Sequence, residues 1–172
     1  MEPAAQLAEF LGMPVDLLQP CLVQPLPKPD LDFATNSLNS ELPQLYSGLL
    51  RICNGFTLFP DHPYGPISFW GTSDLLADAK FDDDIVKQSI TRGFCPIYGR
   101  TPHLTSIRIS DQSIIATDWE VADNEPQGWC RPVAPSMSEL VQTLLKVYDA
   151  DPATDWCQTY VSHGSRYDLP PQ

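Results

Sequence analysis

The sequence is poor in basic residues and has no long apolar run. Only 10 Lys and Arg accompany 22 Asp and Glu in 172 residues, which leaves a net charge of −12. Such a charge repels nucleic-acid phosphates and anionic lipid, and it either attracts a basic protein partner or simply keeps the protein soluble. No run of about 18 apolar residues could span a membrane, and the N-terminus lacks the basic start of a secretory signal. We therefore expect a cytoplasmic protein that binds neither nucleic acid nor membrane.

Motifs for nucleotides, cofactors and zinc are also missing. The chain contains no Walker loop, no dinucleotide-binding glycine pattern, no zinc-protease helix motif and no CxxC pair. We therefore predict no cofactor, no metal and no catalytic residue. The cysteines are odd in number and widely spaced, which is typical of reduced thiols rather than of a disulfide framework. Most of them have apolar neighbours and are expected to act as small core residues. They are Cys21, Cys53, Cys95, Cys130 and Cys157.

Proline content and helical periodicity divide the chain into three regions. Residues 1–35 combine a short helix near Ala4–Leu11 with a proline-rich arm, because each proline removes a backbone donor and restricts the residue before it. We expect this region to pack on the domain. Residues 36–150 form the core, with two amphipathic helices in SELPQLYSGLLRICNG and SMSELVQTLLKVYDA. Residues 151–172 are an aromatic tail that we expect to pack back in part.

The dipeptide Asn54-Gly55 marks the end of the first of these two helices. Gly55 suits the left-handed residue that follows a helix, and the helical run upstream favours this interpretation over a hairpin turn. Five strands are then predicted, in PISFWG, FCPIYGR, LTSIRIS, SIIATDWEVA and GWCRPVA. The alternation in LTSIRIS is typical of a half-buried strand. Short connections between the later strands predict antiparallel pairing.

Two chemical sites can be drawn from the sequence. Cys95 and His103 could form a nucleophile and its base, which is the basis of an alternative enzymatic function. However, Cys95 lies in an apolar strand pattern, and His103 is expected in a loop.

A metal site could be drawn at Asp82, Asp83 and Asp84, but adjacent carboxylates at a helix start are better explained by the helix dipole and by solvation.

The order and spacing of several segments resemble the SUKH superfamily, which groups bacterial immunity proteins with fungal cell-wall regulators. The similarity covers residues 42–148, and the segments that carry it are LLRICNGF, ISFWG with the LL of SDLLADA, FCPIYG, IIATD and WCRPVAPSMSELVQTLL. Many members of this superfamily have a Gly- and Asp-rich turn after the strand equivalent to CPIYG. This chain has RTPHLT there instead.

The resemblance implies a single-domain α+β fold, with an antiparallel or mixed sheet of about four to six strands bordered by helices. It also implies binding rather than catalysis. Many bacterial members are immunity proteins that neutralise a cognate toxin, often a nuclease, by direct contact. We therefore expect a monomer or homodimer that binds a toxin. A regulatory interaction protein with no toxin partner is a further alternative.

An acidic face bordered by aromatic residues is the candidate surface for such a partner. Aromatic side chains are favoured anchors in protein interfaces, and carboxylates attract a basic surface. The candidates were chosen by charge and by their expected position in loops. They are Asp61, Tyr64, Asp82, Asp83, Asp84, Asp118, Glu120, Asp123 and Glu125.

Overall fold

The helical and strand patterns of the sequence combine into an α+β fold in the computed structural model of the chain. The structure describes residues 2–18, 22–23, 42–61, 63, 66–72, 74–75, 85–100, 103–118 and 130–150. Within these ranges, no helix is both long enough and apolar enough to cross a membrane. The α+β class and the antiparallel pairing of the strands are confirmed.

The first and last helices lie close to their predicted positions, whereas the helix that was predicted in SELPQLYSGLLRICNG ends early, at Leu50, and a short helix at Val15–Leu18 was not predicted. Their bounds are α1 (Pro3–Phe10), α2 (Val15–Leu18), α3 (Gln44–Leu50), α4 (Ile85–Thr91) and α5 (Met137–Ala150). The hydroxyl of Ser136 accepts the backbone N–H of Glu139 at 3.2 Å, which is the expected cap at the start of α5. α3 ends at Leu50 and is capped at Arg51, so the prediction that Gly55 directly follows the helix was wrong, although Gly55 does have a left-handed φ of +83°.

The strands form two antiparallel sheets. Their bounds are β1 (Leu22–Val23), β2 (Phe56–Leu58), β3 (Ile67–Phe69), β4 (Phe94–Arg100), β5 (His103–Arg108), β6 (Ile114–Asp118) and β7 (Cys130–Ala134). The first sheet has the order β1-β2-β3, and the second has the order β4-β5-β6-β7. Each sheet follows chain order, so neighbouring strands are consecutive in the sequence, as expected for a meander.

The central strand β5 is more deeply buried than its alternating sequence predicts. All four residues from Leu104 to Ile107 are buried, including Thr105 and Ser106. Consecutive residues of a strand point to opposite faces, so both faces of β5 are covered. The prediction of a half-buried strand was therefore wrong here, because small hydroxyl side chains occupy positions on covered faces. Within the part of the chain that the structure describes, the Ser106 hydroxyl has no hydrogen-bond partner.

The N-terminal helix packs on the core beside the last helix. Leu7 and Leu11 are buried and belong to the main apolar cluster, together with Leu140 and Leu144 of α5. The hydroxyl of Ser138 donates to the backbone carbonyl of Leu11. These contacts place the carboxyl end of α1 against the first turn of α5.

A side chain from a distant hairpin caps the start of α3. The residue before the helix is Pro43, whose side chain has no oxygen with which to cap an N–H group. Instead, the side-chain carbonyl of Gln112 accepts the N–H of Leu45 at 2.9 Å. The amide group of Gln112 also donates to the carbonyl of Ile109 at 2.9 Å. This arrangement joins the β5–β6 turn to α3 across 67 residues of sequence.

The same turn is held together by polar contacts. Asp111 accepts hydrogen bonds from the Arg108 guanidinium at 3.0 Å and from the Ser113 backbone and hydroxyl at 3.0 and 2.7 Å. The contact with Arg108 and the bonds from Ser113 lower the pKa of Asp111 to about 2. The turn therefore keeps an ionised carboxylate that fixes its shape, while Gln112 adopts a φ of +61°.

We predict that Gln112→Ala destabilises the fold by about 1–2 kcal/mol, because it removes two hydrogen bonds and leaves a buried helix start without one of its caps. Gln112→Gly removes the same bonds but accepts the positive φ without strain, so it should cost about 1 kcal/mol less than the alanine variant. Urea unfolding of both variants and the wild type measures the difference. If the two variants lose the same free energy of unfolding, the positive φ of residue 112 does not strain an alanine, and the prediction is wrong.

Candidate binding site

The segment from Phe69 to Thr72 lies against the end of the α3 region. The side-chain oxygen of Asn54 accepts the backbone N–H of Thr72 at 2.7 Å and its hydroxyl at 3.0 Å. A Cβ atom on Gly55 would lie 2.6 Å from the carbonyl oxygen of Phe69. A Cβ atom on Gly71 would overlap the backbone of Asn54. The two stretches therefore touch through their backbones, and glycine is required on both sides.

Further hydrogen bonds hold the same segment. The buried hydroxyl of Tyr46 donates to the carbonyl of Trp70 at 3.0 Å. Burial raises the pKa of Tyr46 well above its ordinary value, so this hydroxyl keeps its proton. The Gly71 N–H donates to the carboxylate of Asp74 at 2.9 Å. We call residues 54–55 and 69–72 together the junction.

The junction connects the two sheets. The N–H of Trp70 donates to the carbonyl of Ile97 at 2.7 Å. Ile97 lies where the pairing of β4 with β5 shifts register, as in a β-bulge, so its carbonyl is available to a group outside that ladder. The ring of Phe69 lies 6.1 Å from the ring of Tyr98 and stacks on Phe56 at 4.4 Å. The contacts of residues 69 and 70 with residues 98 and 97 show that β3 runs antiparallel to β4.

This direction brings several connections to one end of the sheets. The strand termini at that end are Arg100 of β4, His103 of β5, Asp118 of β6 and Cys130 of β7. Phe69 lies beside Tyr98, and β4 continues from Tyr98 to Arg100 at this end. Because β3 runs antiparallel to β4, the start of β3 at Ile67 lies closer to this end than Phe69 does. The β2–β3 connection and the segment between β6 and β7 are therefore attached at this end. We call it the acidic end.

Two of the acidic candidates, Asp61 and Asp118, are among the described residues and lie at or next to the acidic end. Asp61 follows β2 and is exposed. Asp118 is the last residue of β6 and pairs with His103 through its backbone. Asp82, Asp83 and Asp84 lie outside the described residues but directly precede α4, which reverses into β4 through Arg92 and Gly93.

The other predicted site residues lie outside the part of the chain that the structure describes. Glu120, Asp123 and Glu125 belong to residues 119–129, which connect β6 to β7, and Tyr64 belongs to the β2–β3 connection. Their grouping therefore remains a prediction that rests on where their segments are attached.

Most of the negative charge is contributed by residues outside the described ranges. The described ranges contain nine acidic and seven basic residues, whereas the remaining residues contain thirteen acidic and three basic ones. The packed core is thus close to neutral, and the excess of carboxylates is carried by the segments attached to it.

The Cys95–His103 pair has no support from the geometry. Cys95 pairs with Ile107 in the β4–β5 ladder, whereas His103 pairs with Arg100. Four residues along a strand cover about 13 Å, which is too far for a hydrogen bond between a thiol and an imidazole. His103 is also the first residue of β5 rather than part of a loop, so its expected position was wrong.

Two of the three described thiols, those of Cys53 and Cys95, are core residues, whereas Cys130 is half-buried. Cys53 and Cys95 are fully buried and carry free thiols, as expected. Burial raises the pKa of the Cys95 thiol far above its ordinary value and raises that of Cys53 to about 11. Burial also raises the pKa of Cys130 to about 11, although Arg108 and Arg92 oppose this effect. Among the described residues, no group of three or more His, Cys, Asp or Glu could hold a metal ion.

The contacts that create the acidic end leave no local signal in the sequence. The bond from Trp70 to Ile97 and the close approach of Gly71 to Asn54 join residues that are distant along the chain. The sequence features that could have pointed to the contact are the Asn54-Gly55 pair and Gly71, which directly follows PISFW. Neither feature shows that these two stretches lie against each other.

Comparison of the chain with models of known protein families and with the sequences of curated proteins gives no match.

We predict that Gly71→Ala destabilises the fold by about 3 kcal/mol, because the new methyl group meets the Asn54 backbone, which cannot move without breaking its bonds to Thr72. Gly93→Ala is the matched control. Gly93 has a φ of +89°, but no atom lies within 4 Å of the position that its new methyl group would take, so only backbone strain of about 1 kcal/mol is expected. Urea denaturation measures the free energy of unfolding of both variants. Equal losses of this free energy would contradict the close packing of Gly71 against Asn54.

Proposed function

We propose that this chain is a non-catalytic protein-binding module that neutralises a basic toxin by direct contact at the acidic end. The observation that carries this proposal is that Asp61, Asp118 and the point where residues 119–129 leave β6 lie at one end of the two sheets. The resemblance to immunity proteins of the SUKH superfamily supports the same function. The partner is a protein with a basic surface, such as a nuclease-type toxin domain.

Electrostatics gives the acidic end its role in recognition. Carboxylates that are grouped at one end produce a local negative potential, which accelerates encounter with a basic surface by about tenfold or more at low ionic strength. A nuclease must carry positive charge where it binds phosphates. An acidic module that covers that surface would exclude the nucleic acid by competing for the same charges.

The alternative enzymatic function receives no such support. The register separates Cys95 from His103, and the Cys95 thiol is buried with a raised pKa, so it is neither accessible nor ionised. A regulatory interaction protein would use the same acidic end with a different basic partner. The identity of the partner separates that alternative from the toxin-binding function.

The first step is to identify the partner. The chain serves as bait in its source organism, and mass spectrometry identifies what it retains. Each retained protein is then purified and tested alone for direct binding. The proposal predicts a basic toxin domain whose growth inhibition is relieved when this chain is co-expressed.

We predict that Glu120→Lys/Asp123→Lys/Glu125→Lys slows association with that toxin at least tenfold at low salt, because the reversed charges repel a basic surface. The control is Glu2→Lys/Glu9→Lys/Asp16→Lys. These three residues are exposed on or next to α1 and α2, and α1 packs against α5 through Leu11 and Ser138, away from the acidic end.

The two triple variants carry the same net charge, so they separate the position of the charges from their sum. Stopped-flow or surface-based kinetics at two salt concentrations measures the association rate constants. The acidic-end variant should lose most of the salt dependence, while the control should change less than threefold. Equal effects of both variants, or no effect of either, would remove the acidic end as the binding surface.

A further inference from the structure

The four-stranded sheet ends at β7, which has a neighbouring strand on one side. The strand order is β4-β5-β6-β7, and β7 pairs with β6 from Cys130 to Ala134. Among the residues that the structure describes, no strand pairs with the other side of β7. An edge strand with free N–H and C=O groups is a template for a further strand, so a protein either uses such an edge or protects it.

The strand register shows which backbone groups of β7 point away from the sheet. The Arg108 N–H donates to the Ser113 carbonyl at 2.8 Å, across the β5–β6 pair. Bonded and non-bonded pairs alternate along an antiparallel ladder, so Ile115, two residues after Ser113, also directs its backbone groups toward β5. Ile115 therefore makes no backbone hydrogen bond with its partner on β7, which is Pro132. The backbone groups of Pro132 point to the free side of β7, and those of Cys130, two residues earlier, point the same way.

Proline at this position removes a donor from the free edge. It has no N–H, and its ring occupies the space in which an added strand would place a carbonyl group. Pro132 is exposed, so its ring fills no place in the core. The pairing of β6 with β7 also shifts register between Ile114 and Ile115, which leaves Val133 as an extra residue on β7. Such a bulge makes an edge a poorer template for pairing.

A second copy of this chain is the partner that the edge would otherwise accept. Two β7 strands can pair antiparallel about a two-fold axis, because the same edge is then presented by both copies. With residue 131 at the axis, Cys130 of one copy lies opposite Pro132 of the other. Each copy would donate from residues 130 and 132, and the proline removes the second of these donors in both copies.

We propose that Pro132 keeps the free edge of β7 from pairing with a second copy of this chain. The proline thus prevents self-association through the four-stranded sheet. This inference rests on the strand register and on the exposure of Pro132, and it is independent of the proposed function.

The experiment restores the missing donor in the full chain. Pro132→Thr supplies an N–H group and a side chain that is favoured in strands. Pro135→Thr is the matched control, because Pro135 is also exposed but follows the end of β7. Sedimentation equilibrium over a concentration series measures the association constant of each protein, with a reductant present to prevent disulfides between copies. The association constant of Pro132→Thr should exceed that of the wild type about tenfold or more, while that of the control stays within about threefold.

A second variant tests whether the association uses the edge of β7. In Cys130→Pro/Pro132→Thr the neighbouring outward donor is removed instead, at the first residue of the strand, where proline is tolerated. Its association constant should return to that of the wild type. Amide hydrogen exchange of Pro132→Thr should slow at residues 130 and 132 as the protein concentration rises.

Three results would overturn the proposal. Pro132→Thr associates no more tightly than the wild type, Pro135→Thr associates as tightly as Pro132→Thr, or the association persists in Cys130→Pro/Pro132→Thr. Cooperative melting establishes that each variant is folded. If Pro132→Thr does not melt cooperatively, Pro132→Ala restores the same N–H and takes its place.

Discussion

The contact between Asn54-Gly55 and residues 69–72 is the constraint on which the arrangement of this protein depends. Asn54 holds Thr72 through two hydrogen bonds, and the backbones approach so closely that neither Gly55 nor Gly71 has room for a side chain. This contact fixes the end of β3 beside β4, where the Trp70 N–H reaches Ile97. Without it, the three-stranded and four-stranded sheets would share no backbone hydrogen bond among the described residues.

The proposed function depends on the direction that this link imposes. Because β3 lies antiparallel to β4, the β2–β3 connection and the β6–β7 connection leave the fold at the same end. The core contributes almost no net charge, so the strong acidity of the chain resides in the segments that the core holds. A nearly neutral core from which Asp61, Asp118 and residues 119–129 extend at one end is suited to recognising a basic surface.

Local sequence patterns predicted the elements better than their mutual contacts. The Ser136–Glu139 cap and the left-handed Gly55 were predicted from the residues alone, because each depends on neighbours within a few positions. The cap that Gln112 provides for α3 was not predicted, since its partner lies 67 residues away. Burial of Thr105 and Ser106 was also missed, because a strand covered on both faces by other elements carries no pattern that distinguishes it from a half-exposed one. The candidate site residues were chosen from the sequence by their charge. The sequence could not show that the segments around them leave the sheets at one end, because that follows from the strand register.

Carbodiimide cross-linking of the chain to its purified toxin partner tests the central claim most directly, because it joins carboxylates to lysines that are in contact. Mass spectrometry then identifies which carboxylates reacted. The account predicts cross-links from Asp61 and from the acidic residues between β6 and β7. Cross-links confined to Glu9, Asp16 and Glu139 would place the partner on the α1, α2 and α5 surface and would contradict the account.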